Sequence, residues 1–179
     1  MPQLEGDQQY TEEAILCADM MALLNDLHHS NRAATIFLSG KYAGDGENQT
    51  IRKSLYESAL ITFRRVNADG KSRIATKGRP SWKFPKIELD KLIGDKREEF
   101  DEVMRLANRC VAHRVSSEAG LAEVVKNAPQ GQPFVQIKYT EKNQSIIFLL
   151  QLTKKMIDYL APLVIENCNK AKESNSNDS

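Results

Sequence analysis

Arg105, Arg109 and His113 recur at four-residue spacing in the segment Met104–Arg114, MRLANRCVAHR. At 100° per residue, with Phe100 as zero, they project at roughly 140°, 180° and 220°, while Phe100, Val103, Met104, Ala107 and Val111 cluster near 0°. Glu98 and Glu102 fall on the polar side as well. An arginine one helical turn from a histidine can hold a phosphate while the imidazole, with a pKa near neutrality, moves a proton; that is the chemistry of an RNA-cleaving pair. The same stripe also suits a solvated helix face with i,i+3 and i,i+4 ion pairs, each worth about 0.2–0.5 kcal/mol, and His113 there complements the helix dipole. Leu106 and Cys110 flank His113 on its apolar side, a patch that a two-fold contact would cover.

A second candidate is the stretch Lys71–Lys86, KSRIATKGRPSWKFPK. Lys71, Arg73, Lys77, Arg79, Lys83 and Lys86 carry no acid among them, and Trp82 and Phe84 are interleaved. Cations attract phosphates and rings stack on bases, so Lys77, Arg79, Trp82 and Lys83 are candidate RNA contacts. The alternative is that the two rings plug the loop onto the core while the cations sit in water. Arg64 and Arg65 end a helical segment, where they are expected to complement its dipole rather than to hold a phosphate. His28-His29 lacks the further ligands that zinc needs and is expected to mark a helix break. No metal site and no cofactor are expected; phosphate-cradling glycine loops, HExxH and GxSxG are missing from the sequence.

The elements that must position these residues follow from periodicity. Thr11 to about Leu38 is helical, capped by Thr11, with Ile15, Leu16, Met20, Leu23, Leu24 and Leu27 on one face and a break at His28–Asn31. Gly40–Gly46 is a loop. A second helix covers about Gln49–Ala68, with Leu55, Ala59, Thr62, Phe63 and Val66 inward. A third covers about Ile87–Arg114, broken at Gly94. Glu123–Val125 and Phe134–Tyr139 flank a Pro/Gly-rich connection and predict a two-stranded hairpin. The last helix, about Lys142–Asn169, presents Ile146, Ile147, Leu149, Leu150, Ile157, Leu160, Leu163 and Val164, with Pro162 as a kink or break. The expected fold is mainly α, a helical bundle of four to five helices with one β-hairpin appendage. Residues 1–10 are expected to be a flexible N-terminus, 11–169 a single helical domain and 170–179 a disordered tail.

Composition bounds the function classes. The chain has 179 residues, 41% hydrophobic and 27% charged, with 25 Lys+Arg against 24 Asp+Glu. That balance excludes a globally basic nucleic-acid protein, but it hides polarity. Residues 41–86 hold eleven Lys/Arg against four acids, and 87–102 hold seven acids against three bases. No apolar run is long enough for a membrane span, and the N-terminus lacks the pattern of a secretory signal. Three cysteines, Cys17, Cys110 and Cys168, are odd in number and far apart in the chain, which predicts free thiols, a reducing compartment and a cytoplasmic location. Cys17 and Cys168 lie on apolar faces, and Cys110 is a nucleophile only if the site closes on it.

ANRCVAHR (Ala107–Arg114), late in a long helix, resembles the signature of the HEPN superfamily: an Arg, a polar residue, a few positions, then Ala-His. YESALITFRRV (Tyr56–Val66) resembles the second helix of small HEPN-like proteins, and the hairpin followed by a long helix matches the layout of some members. The resemblance spans roughly residues 10–168, though its specific part is about ten residues. It implies a helical bundle forming a two-fold homodimer with the motif helices at the cleft. It also implies membership of a toxin–antitoxin, defence or mobile-element system, as a metal-independent endoribonuclease or RNA binder. His113 takes the family histidine and Asn108 the polar position. The family arginine falls on Ala107, or in a tighter alignment on Asn108 with Arg109 at the polar site. Neither is arginine; Arg109 and Arg105 are the nearby substitutes. The departure opens a second reading, a catalytically inactive HEPN-like module that binds a protein antitoxin partner.

Overall fold

The computed structural model describes residues 11–67, 82–112, 121–125, 134–138 and 141–177. Among these residues five helices follow one another: α1 (Glu12–Leu38), α2 (Glu47–Asn67), α3 (Lys86–Ile93), α4 (Arg97–Ala112) and α5 (Asn143–Asn177). The protein is mainly helical, as the 3.6-residue periodicities require. Two short strands, β1 (Leu121–Val125) and β2 (Phe134–Lys138), pair antiparallel from Leu121 opposite Lys138 to Val125 opposite Phe134. The connection that would make them a hairpin lies outside the described residues.

α1 starts where Thr11, in an extended conformation, accepts a hydrogen bond on its hydroxyl from the Ala14 amide (3.2 Å), and Glu12 and Glu13 complement the dipole. The expected break at His28–Asn31 does not occur; α1 runs unbroken for 27 residues. Ser30 is fully buried and donates to the Ala59 carbonyl of α2 (2.8 Å). Asn31 donates to Thr153 Oγ1 (3.0 Å) and to the Leu150 carbonyl (3.3 Å) of α5. These side chains satisfy neighbouring helices instead of competing with their own backbone, so residue types that favour turns sit inside a helix.

The break at Gly94 is real. Gly94 closes α3 at φ +60°, a conformation that favours glycine, and its amide donates to the Asp90 carbonyl. α5 passes through Pro162, whose face is exposed, and continues to Asn177, beyond the expected end at Asn169. Residues 170–177, expected to be a disordered tail, are helical, and Ala171 is buried.

α1 and α5 form the longest contact and run antiparallel, since Asn31 meets Thr153 while Cys17 meets Cys168. α2 lies against α1, and α4 packs on α2 and α5. The core between them holds Leu27, Phe37, Tyr56, Leu60, Phe63, Val103, Ala107, Ile146, Leu149, Leu152, Met156 and Leu160. Each such large side chain contributes about 1.5–3 kcal/mol by leaving water. Ile147, expected on the inner face of α5, is instead 37% exposed.

Cys17 and Cys168 are joined in a disulfide, with Cα atoms 5.4 Å apart, and Cys110 is the free cysteine. This corrects the expectation of three free thiols. A separation of 151 residues in the chain is no distance in space once two long helices lie antiparallel. The inference from unpaired thiols to a reducing compartment loses its premise.

Candidate functional site

α4 buries Phe100, Val103, Leu106 and Ala107 against the core, which turns Arg105, Asn108 and Arg109 outward. Near the C-terminal end of α2, the neighbouring helix, Arg64 Nε donates to Asn108 Oδ1 at 2.5 Å. That bond uses one donor of the guanidinium, and the terminal nitrogens of Arg64 have no partner among the described residues. Arg109, the next residue on α4, is exposed and carries no ion pair among the described residues. Arg64 and Asn108 therefore present a guanidinium and an amide where α2 and α4 meet, and Arg109 adds a second exposed guanidinium one residue further along α4. An anion with several acceptor oxygens, such as a phosphodiester, suits that donor set.

Sequence reasoning found Asn108 and Arg109 but assigned Arg64 to the helix dipole. The signal that would have found it is the packing of the end of α2 on the end of α4, which no spacing within one helix reveals. Arg65, its neighbour, turns the other way and pairs with the buried Asp26 of α1 (3.3 Å).

Arg105 is engaged elsewhere. Its Nε and Nη2 both donate to the Glu102 carboxylate (2.6 Å each), and Lys142, just before α5, donates to the same carboxylate. Burial opposes ionisation of Glu102, but the hydrogen bonds and charges of Arg105 and Lys142 together outweigh it and hold the carboxyl below the usual range. Glu102 thus ties α4 to the start of α5 through Lys142, and the Arg105 guanidinium, held on the same carboxylate within α4, is the least available of the cations on this face.

Beneath this network lies Tyr56, 2% exposed. Burial pushes its phenol up to about 12; a backbone hydrogen bond at Lys142 opposes this, and Cys110, Glu102 and Glu141 add to it. A phenol whose folded pKa is raised gives stability that is fully present below the unfolded value near 10 and is lost as pH rises through the folded value. Wild-type protein is therefore expected to lose stability between about pH 10 and 12 more steeply than Tyr56→Phe does. Urea unfolding of both chains across that window checks it; parallel curves would exclude Tyr56 as the titrating group.

The second candidate separates from the first. Trp82 donates its backbone amide to Asp19 of α1 (3.1 Å), its ring meets Phe84 edge-on at 6.4 Å, and Phe84 lies 5.1 Å from Tyr159 of α5. Trp82 and Phe84 are thus anchored on α1 and α5, the plugging arrangement, while Lys83 between them is exposed. His113, Lys77 and Arg79 lie outside the described residues. His29 Nε2 lies 2.9 Å from Ser58 Oγ, and no cluster of metal-ligating side chains occurs among the described residues. No described helix is long and apolar enough to cross a membrane. No protein-family model, curated protein or solved structure matches the chain.

Proposed function

We propose that the chain is a HEPN-like protein of a toxin–antitoxin or defence type, a homodimer that engages RNA through the face shared by α2 and α4 and cleaves it without a metal ion. The observation that carries this reading is the Arg64–Asn108 hydrogen bond. It delivers a guanidinium from α2 to the polar position of the α4 motif, close to where the family pattern places its arginine and where this sequence has Ala107. Arg109 adds a second cation from α4 itself, and His113, at the family histidine position, is the group that exchanges a proton.

The assay is RNA binding and cleavage by the full chain, with EDTA present, on structured and single-stranded substrates. Arg64→Ala is expected to weaken RNA binding about tenfold and to flatten the salt dependence by about one phosphate contact. Unchanged affinity and an unchanged salt slope in that variant would remove the α2–α4 face from the reading.

One observation favours the second reading. Ala107, onto which the family arginine falls, is completely buried in the core, and an arginine there would have to displace packed side chains. A chain built in this way can keep the bundle while losing the chemistry, and acts as an inactive module binding a protein partner, a nucleotidyltransferase-type antitoxin. Stable complex formation with such a partner, together with no cleavage by the wild-type chain, would establish it.

A further inference from the structure

Between the first half of α4 and the first turns of α5 lies an open cleft of about 520 Å³. Glu98, Glu99 and Glu102 form its α4 wall, and Ser145, Ile147 and Phe148 line the α5 side. With Lys96 at one end, three carboxylates against one ammonium leave the lining at −2. Glu102 is already engaged by Arg105 and Lys142. Glu98 and Glu99 make no ion pair among the described residues, so the open charge rests on them.

The helix dipole accounts for acids in the first turn of α4, but not for what faces them. Ser145 is 8% exposed, and its hydroxyl makes no hydrogen bond among the described residues. Ser145 lines the cleft, where its hydroxyl is open to a hydrogen bond from a bound group. Beside it the floor is apolar: Phe148 is buried, and Ile147 shows 37% of its surface.

We infer that this cleft is a docking site for a peptide segment of a partner protein that carries lysine or arginine among aliphatic residues. Its cation lies against Glu98 and Glu99, its backbone or side-chain polar groups reach Ser145, and an aliphatic side chain covers Ile147 and Phe148. Charge complementarity selects the partner, and the apolar floor distinguishes such a segment from a simple polycation. The inference is independent of the RNA reading, since the cleft's acidic wall repels phosphates.

The test is calorimetric titration of the full chain with an acetylated, amidated peptide of alternating arginine and leucine. Spermine and the same peptide with glutamine for arginine serve as comparisons. Saturable one-to-one binding in the micromolar range is expected, about tenfold weaker for the glutamine peptide and about tenfold weaker in the combined Glu98→Gln, Glu99→Gln variant. Ile147→Lys, at an exposed position, is expected to weaken it comparably without disturbing the fold, as circular dichroism would verify. Absence of saturable binding, or binding unchanged in both variants, overturns the inference. Spermine binding as tightly as the peptide would overturn it in favour of a small-polycation site. A dimer in light scattering that Ile147→Lys dissociates would overturn it in favour of a second copy of this chain as the occupant.

Discussion

Reduction of the Cys17–Cys168 disulfide is expected to lower the unfolding free energy by about 5 kcal/mol, following the chain-entropy relation for a loop of this length. The bond closes a loop with a sequence separation of 151 residues, nearly the whole chain, and clamps the first turns of α1 to the last third of α5. In that account the effect arises in the unfolded ensemble, which the bond keeps compact, so native contacts change little. The reduced chain should still fold, because Leu27, Phe37, Leu149 and Met156 pack the α1–α5 contact away from the bond and Asn31 bridges it to Thr153. Urea unfolding with and without reductant measures the difference. The combined Cys17→Ser, Cys168→Ser variant should match reduced wild type and ignore the reductant. Thiol titration of denatured, unreduced protein should find one free thiol, Cys110, rather than three. Three thiols, or superimposable unfolding curves, would show that the bond is not present in the folded protein.

The parts of this fold that were legible in the sequence are those governed by local periodicity. Phe100, Val103 and Ala107 were assigned to the inner face of α4, and Ala59, Thr62, Phe63 and Val66 to that of α2, and all are buried. The break at Gly94 was legible because glycine's freedom at positive φ is a property of the residue itself. What escaped depends on partners distant in the chain. His28–Asn31 looks like a break until Ser30 finds the Ala59 carbonyl and Asn31 finds Thr153. Leu106 looked like part of an exposed flank until α4 packed on α2 and α5, which leave it 8% exposed. The two cysteines are unrelated until α1 and α5 lie antiparallel.

The candidate site divides in the same way. Asn108 and Arg109 were found because the motif is contiguous on one helix. Arg64 was missed because its role arises only across the α2–α4 contact. Arg105 shows the converse, a cation that helical projection places in the stripe and that its neighbours Glu102 and Lys142 tie down.

His113→Ala is expected to reduce any EDTA-resistant RNA cleavage by about 10²–10⁴, the usual contribution of a placed general acid–base histidine. Arg109→Ala should weaken cleavage strongly but less completely. A guanidinium that holds phosphate charge stabilises the transition state, and on the nuclease reading Arg64, bonded to the neighbouring Asn108, is expected to share that task. If the two arginines act on one oxyanion, the combined Arg64→Ala, Arg109→Ala loss should differ from the sum of the single losses, since groups sharing a partner are coupled. Arg105→Ala should act differently. It frees Glu102 from its bidentate partner and so is expected to lower stability modestly at neutral pH, where the depressed Glu102 carboxyl is ionised, while changing cleavage little. Single-turnover cleavage of a structured RNA, with urea unfolding of each variant alongside, separates these effects. Cleavage unchanged in His113→Ala, or none by wild type, would reject the nuclease reading and leave the protein-binding module, whose bundle does not depend on the histidine's chemistry.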